Sequence, residues 1–315
     1  MPYAFTPLRD ASIASFVLGL DEAEELQRVL ERSLAAGSTR PEWCWTAWDP
    51  AGHAAARHTW WGRPGLPYPI GLDLRSAEDH DAAVALVVYA RGQLGVLEAR
   101  SEITVPTHRG DSPSAIRAPL VAVLRGAGFG FQVARVTVEW TSSSPPGPDR
   151  HRLSFRPARD LDDDLLLALF VAVGADSLDH GMIVDRARLG ADGEARRRLG
   201  AVRSYGGEPA WFSVGFTARG EPVGYVVPGL AGGVPIVGEI GVATAHRGQR
   251  YVDDLLAWAT DILRTSGAER IVADTDRANS PMRAAFRRAD YREVRWRDDY
   301  AWRQAQDPKG LTQSS

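Results

Sequence analysis

Between Glu239 and Trp258 the chain concentrates residues whose types and spacing suit chemistry: Glu-Ile-Gly-Val-Ala-Thr-Ala-His-Arg-Gly-Gln-Arg-Tyr-Val-Asp-Asp-Leu-Leu-Ala-Trp. An apolar strand enters a short basic, glycine-containing loop, and that loop opens into an amphipathic helix. The first N–H groups of a helix have no intrahelical acceptor and lie at the positive end of its dipole. Such a junction is a ready seat for a diphosphate. Arg247, Gly248, Gln249, Arg250, Tyr251 and Val252 would line it. Glu239 is a carboxylate among apolar Ile236, Val237, Ile240 and Val242. Partial desolvation there would raise its pKa toward the range of a useful general base. The plainer alternative is a strand-edge carboxylate paired with an arginine.

The elements that must hold these residues can be read along the second half. Arg152–Arg156 reads as a short opening strand, and Asp160 as the cap of an acidic–apolar helix whose first turn carries Asp162, Asp163 and Asp164. A polar stretch follows through Arg198. Trp211–Thr217 and Pro222–Val227 flank a turn and predict a hairpin, and Val234–Val242 is a further strand. Tyr251–Arg264 shows helical spacing through Leu255, Leu256, Ala259, Ile262 and Leu263. Arg270–Thr275 is a strand, Pro281–Arg288 a short helix with proline in its first turn, and Tyr291–Trp302 strand material. The first half shows a similar order: Glu42–Trp48 and Ala54–Trp61 about a turn, a strand Ile70–Leu74, a helix Ala82–Arg91, a strand Glu102–Val105, a helix Ser114–Arg125 and a strand Val133–Trp140. The shared order predicts an internal duplication. Thr141–Arg150, rich in proline and serine, reads as a linker. The expected division is therefore 1–140, a linker at 141–150, 151–304, and a tail at 305–315.

Composition narrows the function classes. The 315 residues suit about two domains of roughly 150 residues. A hydrophobic content of 44% and a charged content of 24% are those of a soluble globular protein. A net charge of −3 gives no reason to expect nucleic acid, and no apolar run approaches the roughly 20 residues of a membrane span. Met1–Asp10 carries no export pattern, and Cys44, the one cysteine, fits a reducing compartment, so a cytoplasmic location is expected. No metal site is expected. Trp43, Trp45, Trp48, Trp60 and Trp61 read as core residues of the first hairpin, with an aromatic substrate platform as the alternative.

The second half resembles the GCN5-related N-acetyltransferase (GNAT) superfamily. His246-Arg-Gly-Gln-Arg-Tyr-Val252 stands where that family has its pyrophosphate loop, usually Arg-Gly-x-Gly-x-Gly/Ala. Asp274–Asn279 and Met282 match its strand-to-helix segment, and Ala289-Asp-Tyr291 stands where a glycine and an aromatic are usual. The resemblance covers roughly Arg152–Trp302, with the first half as a weaker copy. The tandem arrangement is of an actinobacterial type, similar in architecture to mycothiol synthase. Arg250 and Val252 replace small residues of the family loop; a position needing a positive φ would resist them, whereas an ordinary helix start would accept them.

The resemblance implies an α/β (α+β) fold of two tandem domains, each a mixed, mostly antiparallel sheet flanked by helices. It implies transfer of an acetyl group from acetyl-CoA (coenzyme A) to a primary amine of a small molecule or peptide, by direct attack in a ternary complex. Ile240, Gly241 and Val242 would align the pantetheine arm, Arg247–Val252 would hold the pyrophosphate, and Asn279 and Met282 would complete the cofactor site. Glu239 is the expected base, with Thr275 and Asp276 as second choices. The tyrosine that often protonates the leaving thiolate corresponds to Phe286, so Tyr251, Tyr291 or water would substitute. His246 reads as solvated rather than as a proton relay, and Asp253 and Asp254 suit a first helical turn while competing with phosphate. Arg75–Asp81 is acidic where phosphates would sit in the first half, so one cofactor site is expected. The arginines of Asp176–Glu208 would favour an acceptor carrying carboxylate or phosphate, or would face solvent. A non-catalytic acyl-CoA-sensing module, another acyl-CoA, or a hydroxyl acceptor are the alternatives, and the protein is expected to be a monomer or homodimer.

Overall fold

The computed structural model describes residues 3–8, 13–20, 23–143 and 152–304. Most of the expected linker (144–150) and the expected tail (305–315) lie outside the described residues. The chain forms two compact units that do not follow its halves. One contains Met1–Val105, Asp111–Val133 and Arg297 onward; the other contains Pro106–Gly110 and Ala134–Trp296. The unit boundaries therefore fall inside three strands, whereas the sequence reading drew its division at 141–150. Local composition marks a proline-rich segment but carries no information on which sheet a strand joins.

The first unit is built from β1 (Ala4–Pro7), α1 (Ile13–Val17), α2 (Ala23–Ala35), β2 (Cys44–Trp48), β3 (Ala54–Trp61), β4 (Gly71–Ala77), α3 (His80–Gln93), β5 (Glu98–Pro106), α4 (Pro113–Ile116), α5 (Ala118–Gly126) and the start of β6 (Gly130–Thr141). β1 to β4 form an antiparallel run, and β5 joins β4 in parallel. Trp43, Trp45 and Trp60 are buried with Leu72, Leu86 and Leu124, so these tryptophans are core residues. β1, α1 and α2 have no counterpart in the sequence reading. The helix expected over Ser114–Arg125 is broken at Arg117. Pro119 has no N–H for the Ala115 carbonyl and its ring would clash with it, so the first piece ends and the proline sits in the first turn of the second.

The second unit continues with β7 (Ser154–Pro157), α6 (Asp163–Gly174), α7 (His180–Val202), β8 (Ser213–Phe216), β9 (Pro222–Ala231), β10 (Val234–Val242), α8 (Tyr251–Thr265), β11 (Arg270–Asp276), α9 (Ser280–Arg288) and β12 (Arg292–Arg303). α6 begins after Asp162 rather than Asp160. The stretch read only as polar is mostly α7, bent where Gly190 takes φ 73°. Glycine tolerates that left-handed value without a Cβ clash. The strand order within this unit is β12, β6, β11, β10, β9, β8, β7. α6 and α7 cover one face of the sheet through Leu166, Phe170, Leu199, Tyr225 and Val227. α8 covers the other through Leu255, Leu256, Val226, Val237 and Ile271. Each unit is thus the expected mixed, mostly antiparallel sheet flanked by helices.

One irregularity positions the site. β10 pairs antiparallel with β9 from Val234↔Ala231 to Val242↔Gly224, but the register shifts between Val237 and Glu239. Val237 faces Pro228, which has no N–H to give to a ladder, and the chain absorbs the mismatch as a bulge at Gly238. Strict alternation would put Glu239 on the same face as Val237. Val237, Ile240 and Val242 all pack on the α8 side, so the extra residue turns Glu239 to the opposite face. A Cβ at Gly238 would lie 3.2 Å from the Tyr205 ring, which keeps the bulge residue small.

Candidate active site

β10 and β11 run parallel and are in register at Ile236↔Val272 and at no further position among the described residues. Beyond that point β11 stays paired with β6 as far as Asp276↔Arg135. β10 keeps β9 on its other side. The edge of β10 from Val237 to Val242, which carries Ile240, Gly241 and Val242, is therefore left without a strand partner. Unpaired strand edges accept extended ligands as an added strand. The chain then makes one turn at Thr244–His246 and crosses Arg247–Arg250 into α8. Gly248 takes φ 77° and Arg250 takes φ 60°. The family position that Arg250 occupies thus does need a left-handed backbone, and arginine adopts it here; Val252 lies inside the helix. α8 starts with no side-chain cap, so its first-turn N–H groups are not taken by a carboxylate or hydroxyl. The space beside Gly248 is open. These groups fit a diphosphate.

Arginines hold this loop from both sides. Arg247, expected to meet phosphate, donates to the carbonyls of Val242 (3.2 Å), Asp176 (2.9 Å) and Val173 (2.8 Å). Its guanidinium closes the C-terminal end of α6, helped by Thr244, whose hydroxyl donates to the Ala172 and Ala175 carbonyls. Arg152 donates to the carbonyls of Gln249 (2.7 Å) and Arg250 (2.8 Å) and pairs with Asp254. Arg288 pairs with Asp253 at 2.6 Å. Both first-turn carboxylates of α8 thus have a cationic partner, which lessens their competition with a phosphate. The side chain of Arg250 is exposed at the loop, together with Gln249.

Glu239 does not lie among the apolar residues of its own strand. On the α6–α7 face it accepts from the Tyr225 hydroxyl, and its Oε1 is 3.4 Å from Arg198 Nε. Burial pushes its carboxyl up to about 7, against the opposing pull of Arg198 and Tyr225. The arginine of the plainer reading is therefore present, and so is the desolvation that a base requires. Tyr225 stacks on Phe170 with ring centroids 4.1 Å apart, and the Tyr205 hydroxyl lies 3.4 Å from the Gly238 carbonyl.

The remaining candidates fall in several places. Asp276, at the end of β11, is buried; its carboxylate accepts the His180 N–H at 2.6 Å and lies 3.5 Å from Arg135. It ties the start of α7 to β11 rather than contacting Glu239. Asn279 caps α9 by accepting from the Met282 N–H, and Met282 packs against the α8 core. Tyr251 is the first residue of α8, its ring between the Arg152 guanidinium (5.0 Å) and His246 (6.2 Å). Tyr291 is buried beside Phe286, shares a hydrogen bond with Thr260 and is held protonated by burial, so it is not placed to supply a proton. The arginines of α7 are mostly engaged, at the surface as well as inside, while Arg196 is exposed. Arg188 and Arg197 pair with Asp185, Arg186 donates to the Val171 carbonyl and Arg198 is buried. A cavity of about 150 Å³ lies under Tyr205, between Arg159, Leu166, Arg203 and Val227. Its lining contains neither Glu239 nor the loop. No described helix is long and apolar enough to cross a membrane.

Tyr225, Arg198, Glu194 and Arg152 were not singled out as partners of the site from sequence. Tyr225 comes in through the β9–β10 pairing, Arg198 and Glu194 through the packing of α7, and Arg152 from the segment just before β7. The one available signal was the solitary tyrosine in the apolar strand Pro222–Val227.

Residues 190–291 match the Acetyltransferase (GNAT) family. No curated protein matches the chain significantly. Among solved structures, a GCN5-related N-acetyltransferase from Sphaerobacter thermophilus aligns with TM-score 0.58 at 16% identity, over 97% of this chain and 98% of its own. A tandem GNAT protein from the clavulanic acid biosynthesis pathway aligns with TM-score 0.50 at 14% identity, over 97% and 100%. A GCN5-related N-acetyltransferase from Kribbella flavida gives TM-score 0.50 at 14% identity, over 90% and 96%. At these identities the likeness is one of fold.

Proposed function

From a chain that carries a GNAT acetyltransferase domain in its second half, we propose an acetyl-CoA-dependent N-acetyltransferase acting on a primary amine. The observation that carries this reading is the unpartnered edge of β10 running into the uncapped start of α8. Bound acetyl-CoA would supply the activated acyl group. The β10 edge from Val237 to Val242 pairs with an extended pantetheine arm, and the N–H groups from Gly248 to Val252 hold the diphosphate. The backbone N–H near Val242 stabilises negative charge developing on the acyl oxygen. Glu239, as the carboxylate, takes the proton of the incoming ammonium directly or through a water. The nitrogen bonds to the acyl carbon, the carbon–sulfur bond breaks, and the thiolate leaves without a dedicated side-chain acid, since Phe286 has no proton to give.

Charge around Glu239 bears on the acceptor. Asp179 and Glu194 act on Glu239 electrostatically, and Asp179 also acts on Asp276. With the α7 arginines mostly paired, the surroundings favour a cationic amine over an acceptor carrying a carboxylate or phosphate. The first unit serves as a structural copy, as the start of α3, where the Asp79 carboxylate caps the helix, supports.

Calorimetry with acetyl-CoA, followed by thiol release against a panel of amines, tests the reading. Micromolar binding with amine-dependent release is expected. Binding without release for any amine would favour the acyl-CoA-sensing alternative, which the buried Phe286 supports. No binding would remove the reading altogether.

A further inference from the structure

Glu194 lies one helical turn before Arg198 on α7 and is 1% exposed, a rare environment for a carboxylate. Its Oε1 is 3.3 Å from Arg198 Nε, and that same Nε is 3.4 Å from Glu239 Oε1. The rest of the guanidinium is committed elsewhere: Nη2 donates to the Phe170 carbonyl at 2.5 Å, and Nη1 points at Met182 Sδ. One edge of one cation thus faces two carboxylates. Among the described residues neither Glu194 oxygen has a hydrogen-bond partner, nor has Arg198 Nε. Room for the Glu194 carboxylate exists because residue 174 is glycine; a Cβ there would lie 2.7 Å from Glu194 Oε2.

The other charged and titratable groups around this pair are few. Tyr225 donates to Glu239 from β9, and Asp179, at the start of α7, and Tyr205, from the α7–β8 connection, also act on Glu239. Arg186, Asp185 and Arg197, all on α7, act on Glu194. Two carboxylates and one guanidinium in a space this dry cannot all be charged at low cost, so their protonation is coupled.

We propose that Glu194 is a positioning residue for Glu239: by holding part of the Arg198 charge, it prevents Arg198 from closing a full ion pair on Glu239. Glu239 then remains able to take up and release a proton instead of standing as a permanently ionised structural partner. The coupling rests on the geometry alone; that the proton comes from an acceptor amine rests on the acyl-transfer reading.

The test is a titration of Glu239 in the ligand-free full-length protein, followed by NMR of ¹³C-labelled glutamate, with E239Q identifying its signal. E194Q keeps shape and removes charge, and should lower the Glu239 midpoint by about one pH unit, roughly tenfold in acid constant. E194D, which withdraws the carboxylate by one methylene, should give a smaller shift in the same direction and serves if E194Q folds poorly. R198M should move the midpoint upward. An unchanged midpoint in folded E194Q or E194D would overturn the proposal. The pH profile of kcat/KM separates this from the acyl-transfer reading. If the titration shifts and the acid limb does not follow, Glu239 is not the base, yet its coupling to Glu194 stands.

Discussion

The two units contain the same structural event with opposite endings. In the second, β10 and β11 hold one parallel register pair, Ile236↔Val272, and then part; in the first, β4 and β5 do the same at Gly71↔Arg100. Each opening leads into a helix. At α8 the helix start is uncapped, with Arg250 left-handed and a glycine two residues earlier. At α3 the N-cap is Asp79, which accepts the Ala82 N–H at 3.0 Å and is fixed by the Tyr3 hydroxyl at 2.6 Å. That hydroxyl, with the backbone N–H groups, holds the Asp79 carboxyl below its usual range. A carboxylate already occupies the positive end of the α3 dipole, so an incoming phosphate meets a like charge and a satisfied donor set. A common scaffold thus yields an open helix start in one place and a capped one in the other, through the loop backbone at Gly248 and Arg250 and the capping carboxylate of Asp79.

The largest effect is expected at Glu239. E239Q should lower kcat/KM by about 10²–10⁴-fold in the thiol-release assay while leaving acetyl-CoA affinity within twofold or so. Retained turnover would remove Glu239 from the chemistry. Making α8 resemble α3 comes next. Arg250→Asp puts a capping carboxylate on the diphosphate seat at a residue type that tolerates the left-handed backbone, and should weaken acetyl-CoA binding about 10- to 100-fold by calorimetry. Unaltered affinity would show that the ligand lies elsewhere.

Three smaller effects sharpen the contrast. With the Glu239 carboxyl up at about 7, kcat/KM should fall tenfold per pH unit below that value. The same residue affects stability in the opposite sense. Its pKa is raised in the fold, so its stabilising contribution is fully present below the ordinary carboxylate value and is lost as pH rises through about 7. Between about pH 6 and about pH 8 the wild type should lose about 1 kcal/mol relative to E239Q in denaturant titrations. The smallest effect is expected in the first unit. Asp79→Ala removes a cap and should lower Tm by about 2–4 °C without changing acetyl-CoA affinity. A second binding event in that variant would show that the cap alone had closed the first seat.

Much of this was legible along the chain because it depends on near neighbours. The alternation of Val234–Val242 and the helical spacing of Tyr251–Arg264 gave the strand and the helix, and the GNAT resemblance that they and the loop between them carried agrees with the match over residues 190–291. The contacts of the Arg247 side chain were not legible because they reach carbonyls of α6 and the segment after it, about seventy residues away, and a basic residue in such a loop looks the same whichever way it turns. α7 was missed because Gly190 and its many arginines mask its periodicity.

By itself the sequence determined which segments fold as strands and helices, where an anion could rest, and that a carboxylate stands three residues before the strand's end. Tertiary structure alone decided which way that carboxylate faces. Pro228 on β9 forces the bulge at Gly238, and a one-residue slip reverses the face of everything beyond it. It also decided what Glu239 meets there, since Tyr225, Arg198 and Glu194 come from another strand and a helix. Contacts between segments distant along the chain depend on packing and register, which no local pattern of residues encodes.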